Sequence, residues 1–238
     1  MNMKYPIVLF DADGTLFDFL LAEKTALMYC LNRFGVEATE TMVKIYSDIN
    51  DSYWKQLEKG EITKGELKYR RFKDFFAKIG SDVDPYAVAD MYAEKLGDYH
   101  FLIDGAEGIC ESIKNIGCRI YVVTNGIKAV QDRRFCESGM IRYFDGVFVS
   151  EEVGAEKPDV AFFEAVSAAI PHFEAKKAII IGDSLTSDIQ GGKNFGIDTC
   201  LFAQTPPKYQ SNSPKPDYCV SRLSDILQIV SGEYIHES

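Results

Sequence analysis

The sequence has no C-x-x-C pair; its six cysteines, Cys30, Cys110, Cys118, Cys136, Cys200 and Cys219, are scattered. That spacing speaks against a zinc site or a disulfide framework. Several of them fall within apolar strand or helix patterns, so they read as reduced, mostly buried thiols. Histidine is scarce too: His100, His172 and His236 have no ligand partners at useful spacing, and no role is assigned to them. No window approaches the ~20 apolar residues of a membrane span. The unbroken apolar run before Asp11 is four residues long, Ile7–Phe10, too short for a signal-peptide core, so the expected compartment is the cytoplasm. Positive charge is short as well. Lys and Arg number 26 against 36 Asp and Glu, a net charge of −10. This balance argues against a general affinity for DNA or RNA, whose phosphate backbones want a Lys/Arg stripe. A small anionic substrate held at one local positive site stays open.

What is present is enough for one large domain or two smaller ones: 238 residues, 46% of them hydrophobic. Strand signals fall at Ile7–Phe10, Arg119–Thr124, Gly146–Ser150, Ala178–Gly182 and Thr199–Phe202, with a shorter one at Tyr218–Val220. Several are unbroken apolar runs, which suit a parallel sheet covered on both faces. Helix-like stretches lie between them at Glu107–Ile116, Ile127–Ser138, Asp159–Ile170 and Ser187–Phe195. This alternation predicts an α/β fold with a doubly wound, Rossmann-like parallel sheet. One interval breaks the rhythm. From residue 18 to 102 no strand signal is clear, and the segment is helix-compatible and punctuated by Gly35, Gly60, Gly65 and Gly80. We read 18–102 as an inserted all-helical cap domain, with 1–17 and 103–238 forming the core. The stretch from Thr205 to Asp217 is rich in Pro, Ser and Asn and reads as a surface loop.

In open α/β sheets, ligands bind beyond the carboxyl ends of the strands. The first strand runs into Asp11-Ala12-Asp13-Gly14, the second into Thr124-Asn125-Gly126, and the fourth into Gly182-Asp183-Ser184 with Asp188 further on; Lys157-Pro158 comes after the third. If Asp11, Asp13, Asp183 and Asp188 share a crevice, each like-charge pair at ~4 Å costs about 4 kcal/mol at an effective dielectric near 20. One lysine cannot offset four carboxylates, and a divalent cation can. The available ligands are all oxygen, which favours Mg²⁺ ahead of Mn²⁺ or Ca²⁺ and disfavours zinc. With the metal in place, Asp11 can act as a nucleophile and Asp13, two residues on, as an acid/base. The Thr124 hydroxyl and neighbouring backbone N–H groups can bind phosphate oxygens, and Lys157 can neutralise the transferring group.

These residues, in this order, resemble the haloacid dehalogenase superfamily of aspartate-nucleophile phosphohydrolases. The family's four motifs match "DADGTL" (Asp11–Leu16), "VVTNG" (Val122–Gly126), "KP" (Lys157-Pro158) and "GDSLTSD" (Gly182–Asp188). The resemblance implies Asp11 as nucleophile and Asp13 as general acid/base, with Thr124, Asn125 and Lys157 on the phosphate. It also implies Mg²⁺ on the Asp11 carboxylate, the Asp13 backbone carbonyl and Asp183, with Asp188 orienting Lys157 or metal-bound water. The helical insert corresponds to the mobile cap of the subgroup acting on small soluble phosphates. "FDADGTLF", "SEEVGAEKP" and "GDSLTSDIQGG" look like the bacterial nucleoside 5′-monophosphatases that act on pyrimidine nucleotides. The partner implied is thus a small phosphomonoester, with the chain a monomer or a small homo-oligomer.

Other readings compete. A sugar-phosphate or phosphoglycolate phosphatase, or a phosphomutase, would use the same core. A receiver-like or catalytically silent phosphate-binding protein would share the acidic cluster, but receivers are about half this length and lack an acid/base Asp two residues past the acceptor. A calcium-loop reading of "DADG" needs Glu at the twelfth position, and that position is Ala22. Within the cap, Asn50, Trp54 and Arg71 are the candidate substrate-cavity residues, although aromatics at helical spacing more often form core. Phe17, Asp18, Leu102 and Asp104 are candidate hinge positions, and Thr186 or Ser187 is expected to cap the helix after the fourth strand.

Overall fold

Ile7–Phe10 carries no polar side chain, and all four residues are removed from solvent. Such a run must be covered on both faces. In the computed structural model, which describes residues 3–205 and 212–234, it is β1 at the centre of a six-stranded sheet. The others are β2 (Arg119–Thr124), β3 (Gly146–Val149), β4 (Ala178–Gly182), β5 (Asp198–Phe202) and β6 (Tyr218–Val220). They run parallel in the order β3-β2-β1-β4-β5-β6. The helices are α1 (Phe19–Arg33), α2 (Glu40–Glu58), α3 (Lys64–Ile79), α4 (Pro85–Asp98), α5 (Ala106–Asn115), α6 (Lys128–Glu137), α7 (Ser150–Val153), α8 (Val160–Ala169), α9 (Gln190–Phe195) and α10 (Ile226–Ser231).

The period of two along a strand divides the core. Val8 and Phe10 enter one cluster with Ile120, Val122, Ile179 and Ile181, packed with residues of α5 and α10. Ile7 and Leu9 enter the other with Val123 and Ile180, packed with Phe162, Phe163 and Val166 of α8. Register then fixes where the strands stop. Phe10 lies opposite Val122 of β2 and Ile181 of β4, so the segments after these three strands emerge at one edge of the sheet.

The chain divides into two compact units, Met1–Asp18 with Leu102–Ser238, and Phe19–Phe101. The first is the Rossmann-like core. The second is the inserted all-helical cap, formed by α1 to α4. Local sequence explains its helix ends. Thr39 caps α2 by accepting from the Met42 amide at 3.2 Å. Thr63 and Glu66 form a reciprocal capping box on α3. Asp84 and then Pro85 open α4. Gly80 ends α3 at a φ of 68°, while Gly65 lies inside the first turn of α3 rather than between helices. Among the described residues no helix is long and apolar enough to cross a membrane. All six cysteines are free thiols; Cys136 and Cys219 are exposed and the other four are buried. Residues 206–211 of the expected surface loop, and His236, lie outside the described residues.

The cap interior is aromatic and holds a buried polar chain. Tyr46 packs on Phe72 and Tyr92 with ring centroids 5.0 and 5.4 Å away. The Arg71 guanidinium sits 5.1 Å from the Tyr92 ring centroid and donates to Asn50 Oδ1 at 2.7 Å. Asn50 in turn donates to Glu23 Oε2 at 2.6 Å. Burial raises the Glu23 pKa, while hydrogen bonds from Ser47 and Asn50 and the Arg71 charge pull it back. Asn50 thus relays between two buried ionisable groups, which are costly without partners. Asn50→Leu is expected to destabilise the protein by about 3 kcal/mol, measured as a lowered urea midpoint. Conversely, an unchanged midpoint would show that the relay carries no weight.

Candidate active site

Beyond Phe10 the Asp11 amide donates to Ile181 O at 2.8 Å, so pairing with β4 continues one residue into the acidic motif. The Asp11 side chain meets Lys157, which is 1% exposed. The Lys157 ammonium donates to Asp11 Oδ1 at 2.7 Å, Asp188 Oδ1 at 2.6 Å and the Val123 carbonyl at 2.7 Å. All three of its protons have acceptors. Burial alone would depress the lysine pKa, but the charges of Asp11 and Asp188 outweigh it and hold the ammonium above its ordinary range. The pKa of the Asp11 carboxyl is raised as well, which for an acid disfavours the charged form. Its burial raises its pKa; Lys157 lowers it; Asp188 and Asp183 raise it again, leaving it well above the usual carboxylate range.

Asp11, Asp183 and Asp188 each bring a carboxylate oxygen within 4.8 Å of the others. One ammonium faces three carboxylates, and the donors are all hard oxygens. That charge imbalance and donor set fit a magnesium ion.

Two glycines make this density of charge possible. Gly14 has a φ of 82°, and a Cβ there would overlap the Asp183 carboxylate. A Cβ on Gly182 would overlap the carboxylate of Asp188. Asp188 is also held by the Ser184 amide, which donates to its Oδ2 at 3.1 Å. Ser184, rather than Thr186 or Ser187, caps the turn that comes after β4: its Oγ accepts from the Ser187 amide at 3.2 Å. The cap lies two or three residues earlier than expected because a π turn, Leu185–Ile189, is separated from the end of β4 by only two residues and comes before α9.

The remaining core residues separate in their roles. Thr124 is buried at the end of β2, and its Oγ1 accepts from the Gly126 amide at 3.0 Å. The Asn125 side chain, expected on phosphate, braces the lysine backbone: it accepts from the Lys157 amide and donates to the Lys157 carbonyl, both at 2.8 Å. It fixes the backbone that carries the ammonium. The Asp13 carboxylate turns towards α6, where Arg134 Nη1 donates to Oδ1 and Gln131 Nε2 donates to Oδ2 at 2.5 Å. Sequence reasoning missed both partners. The available signal was their i, i+3 spacing beside the apolar Val130 and Phe135, which puts them on the buried side of α6.

The candidate hinge is stitched by backbone. Phe17 bridges to Asp13 and, antiparallel, to Leu102, and the Ile103 amide donates to Leu16 O at 2.9 Å. In the helical unit, Asn50 and Arg71 belong to the buried polar chain that ends on Glu23. Trp54 is half-buried against Tyr53, Leu57, Ile62 and Leu67.

A family model described as haloacid dehalogenase-like hydrolase matches residues 5–196. The pyrimidine 5′-nucleotidase PynA of Streptococcus pneumoniae is 37% identical over 236 residues, covering 99% of both chains. The pyrimidine 5′-nucleotidase YjjG of Escherichia coli is 28% identical, covering 96% of this chain and 99% of its own. A crystal structure of the HAD-hydrolase YfnB of Bacillus subtilis, described as bound to magnesium, superposes with a TM-score of 0.90 at 33% identity, covering 95% of this chain and 99% of that one.

Removing the Lys157 charge leaves Asp11 and Asp188 buried against each other. Lys157→Met is expected to cost about 3–5 kcal/mol in urea unfolding. Adding Asp188→Asn should recover part of that loss, because one of the two repelling charges is gone. A double variant less stable than the single one would contradict this electrostatic picture.

Proposed function

The chain belongs to the haloacid dehalogenase-like hydrolases, and on that premise we propose that it is a phosphomonoesterase for nucleoside 5′-monophosphates, pyrimidine favoured, working through an aspartyl-phosphate. The observation that carries this reading is the buried Lys157 ammonium, which holds Asp11 through one carboxylate oxygen and leaves the other to attack phosphorus.

In the first step Asp11 forms a bond to phosphorus as the ester P–O bond breaks, and Asp13 gives a proton to the departing alkoxide. In the second, Asp13 takes a proton from water; the water oxygen attacks phosphorus and the bond to Asp11 breaks, releasing inorganic phosphate and restoring the carboxylate. Lys157 offsets the charge on Asp11 and on the phosphoryl oxygens throughout. Thr124 and the backbone N–H groups after β2 bind those oxygens, with Asn125 acting through the Lys157 backbone. Asp11, the Asp13 carbonyl and Asp183 would hold magnesium, which when bound neutralises part of the charge shared by carboxylate and phosphate. Asp188 orients Lys157.

The nucleotide preference is supported by the names of PynA and YjjG, both pyrimidine 5′-nucleotidases. We assign selection among phosphomonoesters to the helical unit. Of the three residues proposed there, Trp54 is half-buried and is the one assigned to the nucleobase; Asn50 and Arg71 are buried and act by holding the interior of the unit.

A phosphate-release panel of nucleotides and sugar phosphates tests the reading. Pyrimidine monophosphates should be hydrolysed at least about tenfold faster than sugar phosphates, a difference of roughly 1.4 kcal/mol in transition-state binding. Chelation should abolish release and magnesium restore it. Asp11→Asn should lose at least roughly 10³-fold. Wild-type rates from Asp11→Asn would overturn the mechanism, and a flat substrate profile would overturn the nucleotide assignment.

A further inference from the structure

We propose that Arg134 and Gln131 of α6 are positioning residues of the reaction, fixing the Asp13 carboxylate and tying it to the hinge through Phe17. The inference rests on the reading of Asp13 as the acid/base. Its observation is separate: both oxygens of Asp13 are already engaged, Oδ1 by Arg134 and Oδ2 by Gln131. The two ends of this clamp differ in wetness. The Asp13 side chain is 25% exposed and that of Arg134 is fully enclosed. A guanidinium buried to that degree needs polar partners, and together with Gln131 it fixes the direction of the Asp13 carboxyl. Gln131 and Arg134 stand on the helix that starts just past Thr124 and Asn125. The segment that presents the phosphate-binding residues therefore also sets the direction of the acid/base.

The same guanidinium faces the hinge. Its Cζ lies 5.8 Å from the Phe17 ring centroid, and that ring packs edge-on against Phe135, the next residue of α6, at 5.0 Å. The Phe17 backbone bridges to Asp13 on one side and Leu102 on the other, and its carbonyl accepts from the Gly14 amide at 2.9 Å. Phe17 thus touches the Asp13 loop through its backbone and the Asp13 clamp through its ring. A shift of either crossing strand at Phe17 or Leu102 bears on where the carboxylate points. A displacement of ~1 Å at an acid/base costs on the order of 10²-fold.

The test is a double-mutant cycle with magnesium-loaded enzyme and uridine 5′-monophosphate, read as kcat and KM. Arg134→Met is expected to lower kcat by roughly 10–100-fold with KM changed less than about threefold. In an Asp13→Asn background the same substitution should change kcat less than about threefold, because the group it positions is already gone. If Arg134→Met does not fold, Gln131→Leu carries the same comparison with a loss of about three- to tenfold. Unchanged kcat in the single variants, or an equal loss in both backgrounds, would overturn the inference. If Asp13→Asn itself kept wild-type kcat, the acid/base reading would be what fails, and the inference with it.

Discussion

The Lys157 ammonium binds the end of β1 through Asp11, the end of β2 through the Val123 carbonyl, and the turn after β4 through Asp188. Those three strands are neighbours at the centre of the sheet. A single buried positive charge therefore ties together the segments that carry the chemistry. The geometry around it is set by its needs. Asn125 spends its side chain on the Lys157 backbone, and Gly14 and Gly182 give up side chains so that Asp183 and Asp188 can approach. The residual imbalance of three carboxylates against one ammonium leaves a surplus of negative charge on hard oxygens, which fits a divalent cation.

The site then divides into a dry and a half-wet part. Asp11, Lys157 and Asp188 are enclosed, which strengthens each electrostatic contact among them. Asp13 sits at the boundary, with its partner Arg134 buried behind it. These environments suit the roles proposed for the two aspartates: the first a nucleophile, the second a group that exchanges protons with a leaving alkoxide and with water.

Much of this was legible in the sequence for one reason: the three central strands, β1, β2 and β4, run directly into the polar residues of the candidate site. The unbroken apolar run Ile7–Phe10 marked a central strand, and Asp11, Thr124 and Asp183 could be placed from where such strands stop. What was illegible depends on which polar residues turn inwards. In Lys128–Glu137, Arg133 pairs with Glu137 at the surface while Arg134 is fully buried, and two adjacent arginines look alike without the register of the helix against Phe17. Asn125 could be placed beside Thr124 from the sequence, but its bond to the Lys157 backbone spans 32 positions, which no local pattern reveals. In the cap, Asn50 and Arg71 are polar residues with an interior partner, Glu23, that lies 27 positions before Asn50.

The central claim is that phosphorus becomes bonded to Asp11. Its most direct measurement is acid quench during turnover of uridine 5′-monophosphate with magnesium present, then borohydride reduction and peptide mass spectrometry. An aspartyl-phosphate is reduced to homoserine, whereas a free carboxylate is untouched. The expected result is homoserine at position 11 and at no other aspartate, appearing only when substrate is present. Full turnover with Asp11 unmodified, or homoserine at Asp13, Asp183 or Asp188 instead, would contradict the account.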